Sequence, residues 1–100
     1  MLIGRVIGNV VSTKKDEELV GLRLLLVQGV DKQGQTAGQM VVCADSVGAG
    51  EGEVVLFAGG SSARQTEVTK NRPVDHVIMA IVDEVTIEGR TFYRKEHGFV

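Results

Sequence analysis

The sequence predicts an all-β fold, a small closed or nearly closed barrel of five or six short strands. Three observations carry that expectation. Valine, isoleucine and threonine recur throughout while proline occurs once, a composition that favours extended backbone. Glycines separate the apolar runs as turn residues do. No stretch sustains the 3.6-residue apolar period of an amphipathic helix, and there is no internal repeat.

The elements follow in order. Leu2 to Thr13 reads as a long first strand whose Gly4 and Gly8 suit the coiling a barrel demands. The charged run Lys14-Lys15-Asp16-Glu17-Glu18 is a solvated loop, and Gly21 opens a second strand, Leu22 to Gln28. Asp31-Lys32-Gln33-Gly34-Gln35 is turn chemistry, with Gly34 free to take positive φ. Gln39 to Asp45 and Gly52 to Ala58 form the third and fourth strands. Gly59 to Gln65 can start a short helix with a serine as its cap. Val74 to Val85 reads as one fifth strand, after which Glu88-Gly89-Arg90 turns the chain into a last strand, Thr91 to Arg94.

With 100 residues the chain holds one domain whose core has a thin margin. Its 43% hydrophobic and 24% charged residues exclude disorder as the main state. A net charge of −2, from 11 basic and 13 acidic side chains, argues against a dedicated nucleic-acid binder. Lone Cys43 can close no disulfide within the chain and reads as a buried small hydrophobe. Arg5 and two glycines interrupt the opening residues, so no secretory signal is read there. The longest apolar run, Val77 to Val82, is far too short to span a bilayer. A cytoplasmic protein without membrane contact is the expectation.

Three strands break the rule for a barrel standing alone. A strand with one wet face alternates apolar and polar residues. Leu24 to Val27, Val54 to Phe57 and Val77 to Val82 are instead apolar on both faces. The chain lacks helices to cover them, so the expected cover is another copy of itself, in an obligate oligomer.

No motif carries chemistry. Gly48-Ala49-Gly50-Glu51-Gly52-Glu53 has the glycines of a phosphate loop, but two acids replace the lysine and hydroxyl, and a strand follows. It reads as a tight turn. Ser61 or Ser62, His76 and Asp75 or Asp83 supply the residue types of a hydrolase triad without a diagnostic order. The serines have a sufficient role as caps. No catalytic, cofactor-binding or metal-ligating set is assigned. Arg64 and Arg72 each offer a planar fork to a carboxylate or carbonyl. Of the four aromatics, Phe92, Tyr93 and Phe99 fall in the final stretch, where they are read as docking the tail against protein. A single-strand binder would place aromatics among basic residues on central strands, which here hold only Phe57.

Several ordered blocks resemble one family. They are Ile3-Gly4-Arg5-Val6-Ile7-Gly8 with Val10 to Thr13, and Gly21-Leu22-Arg23-Leu24-Leu25-Leu26-Val27-Gln28. Further on come Asp45 to Gly50, Gly52 to Leu56, Gly60-Ser61-Ser62-Ala63-Arg64, Arg72-Pro73-Val74-Asp75 and Ile81-Val82-Asp83. This pattern resembles the vertex proteins of bacterial microcompartments, of the carboxysome and ethanolamine-utilisation types. The resemblance spans residues 1–85, taken as the barrel domain, and leaves residues 86–100 as a C-terminal strand and tail. It implies a five-stranded OB-like barrel that assembles as a homopentamer and caps the vertices of a shell with hexameric facets. It brings no catalytic residue, no cofactor, no nucleic acid and no membrane. The alternative that an OB-like fold raises is a nucleic-acid-binding module. Gly48, Ala49 and Gly50, with Gly60, Ser61, Ser62 and Arg64, border the strand Val54 to Phe57 from either side. They are the candidates for the subunit interface or central loop.

Overall fold

The computed structural model describes all residues, 1–100. Five strands close a barrel: β1 (Leu2–Val10), β2 (Leu24–Val30), β3 (Thr36–Asp45), β4 (Val54–Gly59) and β5 (His76–Ile81). Their order around it is β1-β2-β3-β5-β4, with β4 returning to β1. Every pairing is antiparallel except β3 with β5, which run parallel through Ala44↔Val77 and Asp45↔Ile78. Beyond the barrel, β6 (Glu84–Ile87), β7 (Arg90–Arg94) and β8 (Gly98–Phe99) form a separate sheet. Short 3-10 turns at Glu17–Leu19 and Gly60–Arg64 stand where a charged loop and a serine-capped helix were expected. The serine does not cap: Gly59 holds that position without a side-chain bond.

Val6, Leu25, Val27, Cys43, Val55 and Ile78 fill the barrel, each all but sealed from solvent. Their closure leaves no room at Gly4. A Cβ there would lie 2.6 Å from Val27 Cγ1 and 2.8 Å from Phe57 Cε1. Gly8 has no such crowding; it follows the bulge at which β1 slips register against β2.

The stretch expected as one strand from Val74 to Val85 is two. Val55 pairs with Ile81 and Val82 N–H bonds to Val54 O at 2.8 Å, where β4 begins. No barrel strand remains beside residue 83. Its carbonyl instead accepts from Lys95 N–H at 2.9 Å, and the chain leaves to build the second sheet. A boundary at 85/86 therefore falls inside β6. β1 likewise stops at Val10, opposite Leu24, rather than reaching Thr13.

The double-faced apolar strands receive a second explanation. Ala44, Ala58 and Val77 form an outer core with Ala63 and Val74, packed by Leu19, Leu22, Leu24 and Met79. The chain's own connections, residues 16–22 and 60–75, thus cover much of the outer face assigned from sequence to a neighbour. A different strand stays bare: on β3, Met40 is 53% and Val42 45% exposed.

Phe92 and Tyr93, neighbours on β7, are both buried, and Phe99 meets Tyr93 at a tilt with ring centroids 4.8 Å apart. Phe99 lies against Gly34, whose φ is +81° and whose missing side chain makes the space. Arg5 reaches the same place, donating to Gly34 O at 3.1 Å with its guanidinium 5.7 Å from the Phe99 ring. The aromatic tail docks on the barrel through the β2–β3 turn.

Candidate subunit interface

The Gly48–Gly50 candidates sit in the turn that follows β3. Asp45 organises it: Oδ1 accepts the N–H groups of Val47 (3.1 Å), Gly48 (3.1 Å) and Ala49 (3.2 Å). Oδ2 takes Arg23 Nη1 at 2.7 Å, and the same nitrogen donates to Ala49 O. Gly48 supplies the φ of +79° that the turn needs. Ala49 is fully buried in the barrel core, backbone included, and offers a neighbour no surface. Gly50 N–H donates to Glu53 Oε1 at 2.7 Å, while Glu53 Oε2 meets Lys95 Nζ at 3.1 Å. The Gly50 N–H, followed by Lys95, holds the Glu53 carboxyl below its usual range, and Glu53 in turn raises Lys95.

Gly60, Ser61, Ser62 and Arg64 occupy the 3-10 turn after β4, all exposed, with Gly60 at φ +65°. Arg64 Nη1 donates to Val74 O at 3.2 Å, and the residue borders a polar hollow with Gln65, Glu67 and Lys70. The two candidate groups stand at opposite ends of β4, a six-residue strand, so roughly 20 Å separates them. Arg72 is a staple of the chain itself, donating to Glu18 O at 2.7 Å and Val20 O at 3.0 Å.

The triad residue types are not assembled. His76 makes no hydrogen bond to Ser61, Ser62, Asp75 or Asp83, and its ring tilts against Phe57 at 6.3 Å. Cys43 is sealed in the core, and burial pushes its thiol up to about 12. No three His, Cys, Asp or Glu side chains gather as metal ligands, and no helix is long and apolar enough to cross a membrane.

Sequence reasoning missed the residues that shape these turns. Asp45 carried a signal, an Asx residue directly before a glycine-rich turn. Arg23 and Lys95 carried none, because their partners lie across strands whose register the sequence does not state.

What remains is surface. The chain exposes 6221 Å². A compact monomer of 10.7 kDa would expose about 5,500 Å². An OB-type barrel with an arm-like second sheet and a bare apolar stripe on β3 defines the class: a small β-barrel subunit with apolar surface left uncovered.

Comparison with known proteins gives the same class. The family model described as ethanolamine utilisation protein EutN/carboxysome matches residues 1–83. The carboxysome shell vertex protein CcmL of Gloeobacter violaceus is 48% identical over 99 residues, covering 99% of both chains. Its solved structure superposes with a TM-score of 0.90 over 96% of this chain and 99% of that one. The shell vertex protein EutN of Salmonella typhimurium is 42% identical over 95 residues, 95% of this chain and 96% of its own. GrpN, a pentameric microcompartment shell protein from Rhodospirillum rubrum, has a TM-score of 0.78 at 42% identity, over 87% of this chain and 99% of that one. The chain belongs to the EutN/carboxysome family of microcompartment shell vertex proteins.

Proposed function

We propose that this chain is a non-catalytic building block that assembles as a homopentamer and closes the five-fold vertices of a polyhedral microcompartment shell in the cytoplasm. Hexameric facet proteins of the same shell are its outer neighbours. The single observation that carries the reading is the fit to a pentameric shell protein at a TM-score of 0.78 and 42% identity. The exposed Met40 and Val42 on β3 and the surplus surface agree with a subunit made to be covered. A ring of five needs two different patches per chain, whose rotation closes the assembly. The turns at Gly48–Gly50 and Gly60–Arg64 are the backbone-rich rims of those patches, with Arg64 as the charged contact. The barrel carries the ring contacts, and the small sheet from Glu84 onward extends them. Native mass spectrometry of the purified chain tests the ring, with five times the chain mass expected and a stable monomer or dimer overturning it. Mixing with a hexameric facet protein tests the vertex role: closed polyhedra are expected, and unchanged open sheets or tubes count against it.

A further inference from the structure

Among the open sheet edges of the chain two are suited to each other, and we infer that β6 of one copy adds as a strand to the bare edge of β3 in the next. The inference rests on the ring proposed above and names the contact that builds it. β3 pairs with β5 only from Ala44 onward, so Thr36 to Cys43 have no strand on that side. Asp45 N–H bonds toward β2, to Arg23 O at 2.9 Å. The register with β2 is unbroken from Ala44 to Met40. Main-chain groups alternate sides along an antiparallel ladder, so the N–H groups of Met40 and Val42 turn to the bare edge. A row of unpaired donors beside exposed apolar side chains is a template for another strand.

Two hollows flank that edge and share Val41 and His76. One, of about 330 Å³, is mainly apolar, with Leu19, Leu24 and Val74 in its wall. The other, of about 210 Å³, is lined by Leu2 and Phe57 together with Gln39, Ala37 and Gly38. An added strand sends alternate side chains to opposite faces, one set into each hollow. β6 sets Val85 and Ile87 on one face, beside a hollow of its own chain that includes Leu2 and Phe99, and leaves Glu84 and Thr86 exposed on the other.

Symmetry selects the occupant. β3 pairing with β3 of a second copy would close a dimer, since the same patch would serve both partners. A ring needs a second, different edge. β8 is two residues long and holds Phe99 against Gly34, whereas β6 ends its sheet with its outer side free.

Residue-resolved amide exchange on the native protein, assembled and diluted to monomer, decides the matter. Protection of the Met40 and Val42 amides is expected to rise at least about tenfold on assembly, together with amides of β6. Val42→Lys and Thr86→Pro each remove one partner at an exposed position, and both are expected to shift assembly to higher concentration while the monomer's circular dichroism stays unchanged. A ring of full mass whose Met40 and Val42 amides exchange as in the monomer overturns the strand addition and leaves the pentamer standing. Absence of any ring overturns both. Protection at β3 without protection at β6 also overturns it, and assigns the edge to another segment.

Discussion

Asp45 and Arg23 meet at 2.7 Å across neighbouring strands, and the carboxylate, with its side chain 4% exposed, also caps three successive N–H groups of the next turn. One side chain therefore fixes both the end of β3 and the path into β4.

Asp45→Ala frees three donors in a nearly closed space and leaves Arg23 without its anion. The cost is about 2–4 kcal/mol. The melting midpoint is expected to fall by roughly 10–20 °C for a domain of this size. Arg23→Ala is expected to cost less, because Arg23 is 55% exposed and Asp45 keeps its backbone donors. Calorimetry of both variants checks the order, and equal losses would refute the capping role.

The Glu53–Lys95 pair at 3.1 Å ties the barrel to its arm. The Glu53 pKa is depressed in the folded chain, first by Gly50 N–H and then by Lys95. Its contribution is thus present above the unfolded glutamate range and lost as pH falls through the folded value. Lys95 is raised, so its share holds below the ordinary lysine range and is lost as pH climbs through the folded value. Urea midpoints of the natural chain and Lys95→Ala are expected to differ at pH 7 and to converge on acidification. A gap unchanged under acid would show that the pair contributes nothing.

Gly34→Ala combines strain at φ +81° with a methyl group driven into the Phe99 ring. Destabilisation of about 2 kcal/mol or more is expected by denaturant titration. In the double variant with Phe99→Ala the steric part disappears and the backbone part remains. Strict additivity of the two changes would mean that Phe99 does not bear on Gly34.

Arg64→Ala is expected to weaken the pentamer more than Lys15→Ala. Arg64 spends one donor on Val74 O and has the rest for a neighbour, whereas Lys15 bonds only Ser12 O in its own charged loop. Stranding the partner of a buried interfacial charge costs about 2–5 kcal/mol, against little for an exposed lysine. Dissociation on dilution, followed by light scattering, compares them. Equal dissociation would return Arg64 to the role of a solvated arginine.

The strands were legible because their information is local. Branched residues from Leu24 to Val27 and Val54 to Phe57 extend whatever surrounds them, and Gly34 and Gly48 take the positive φ their turns require. The barrel, the docking of Phe92, Tyr93 and Phe99, and the burial of Cys43 followed from residue type. Where β5 ends did not, because valines run on past Ile81 at Val82 and Val85; what stops the strand is that β4 has run out beside Ile81. The interface candidates were harder still. Ala49 looked like part of a bare turn until the turn folded it into the core.

By itself the sequence determined which segments extend, where they turn and that their apolar faces exceed what one barrel can hide. Only the tertiary structure decided what hides them. Residues 60–75 fold back over Ala44, Ala58 and Val77, and the edge of β3 before Ala44 is left without a strand. Burial and edge pairing depend on register and on contacts between distant segments, and a one-dimensional pattern of polar and apolar residues does not encode which partner comes to lie alongside.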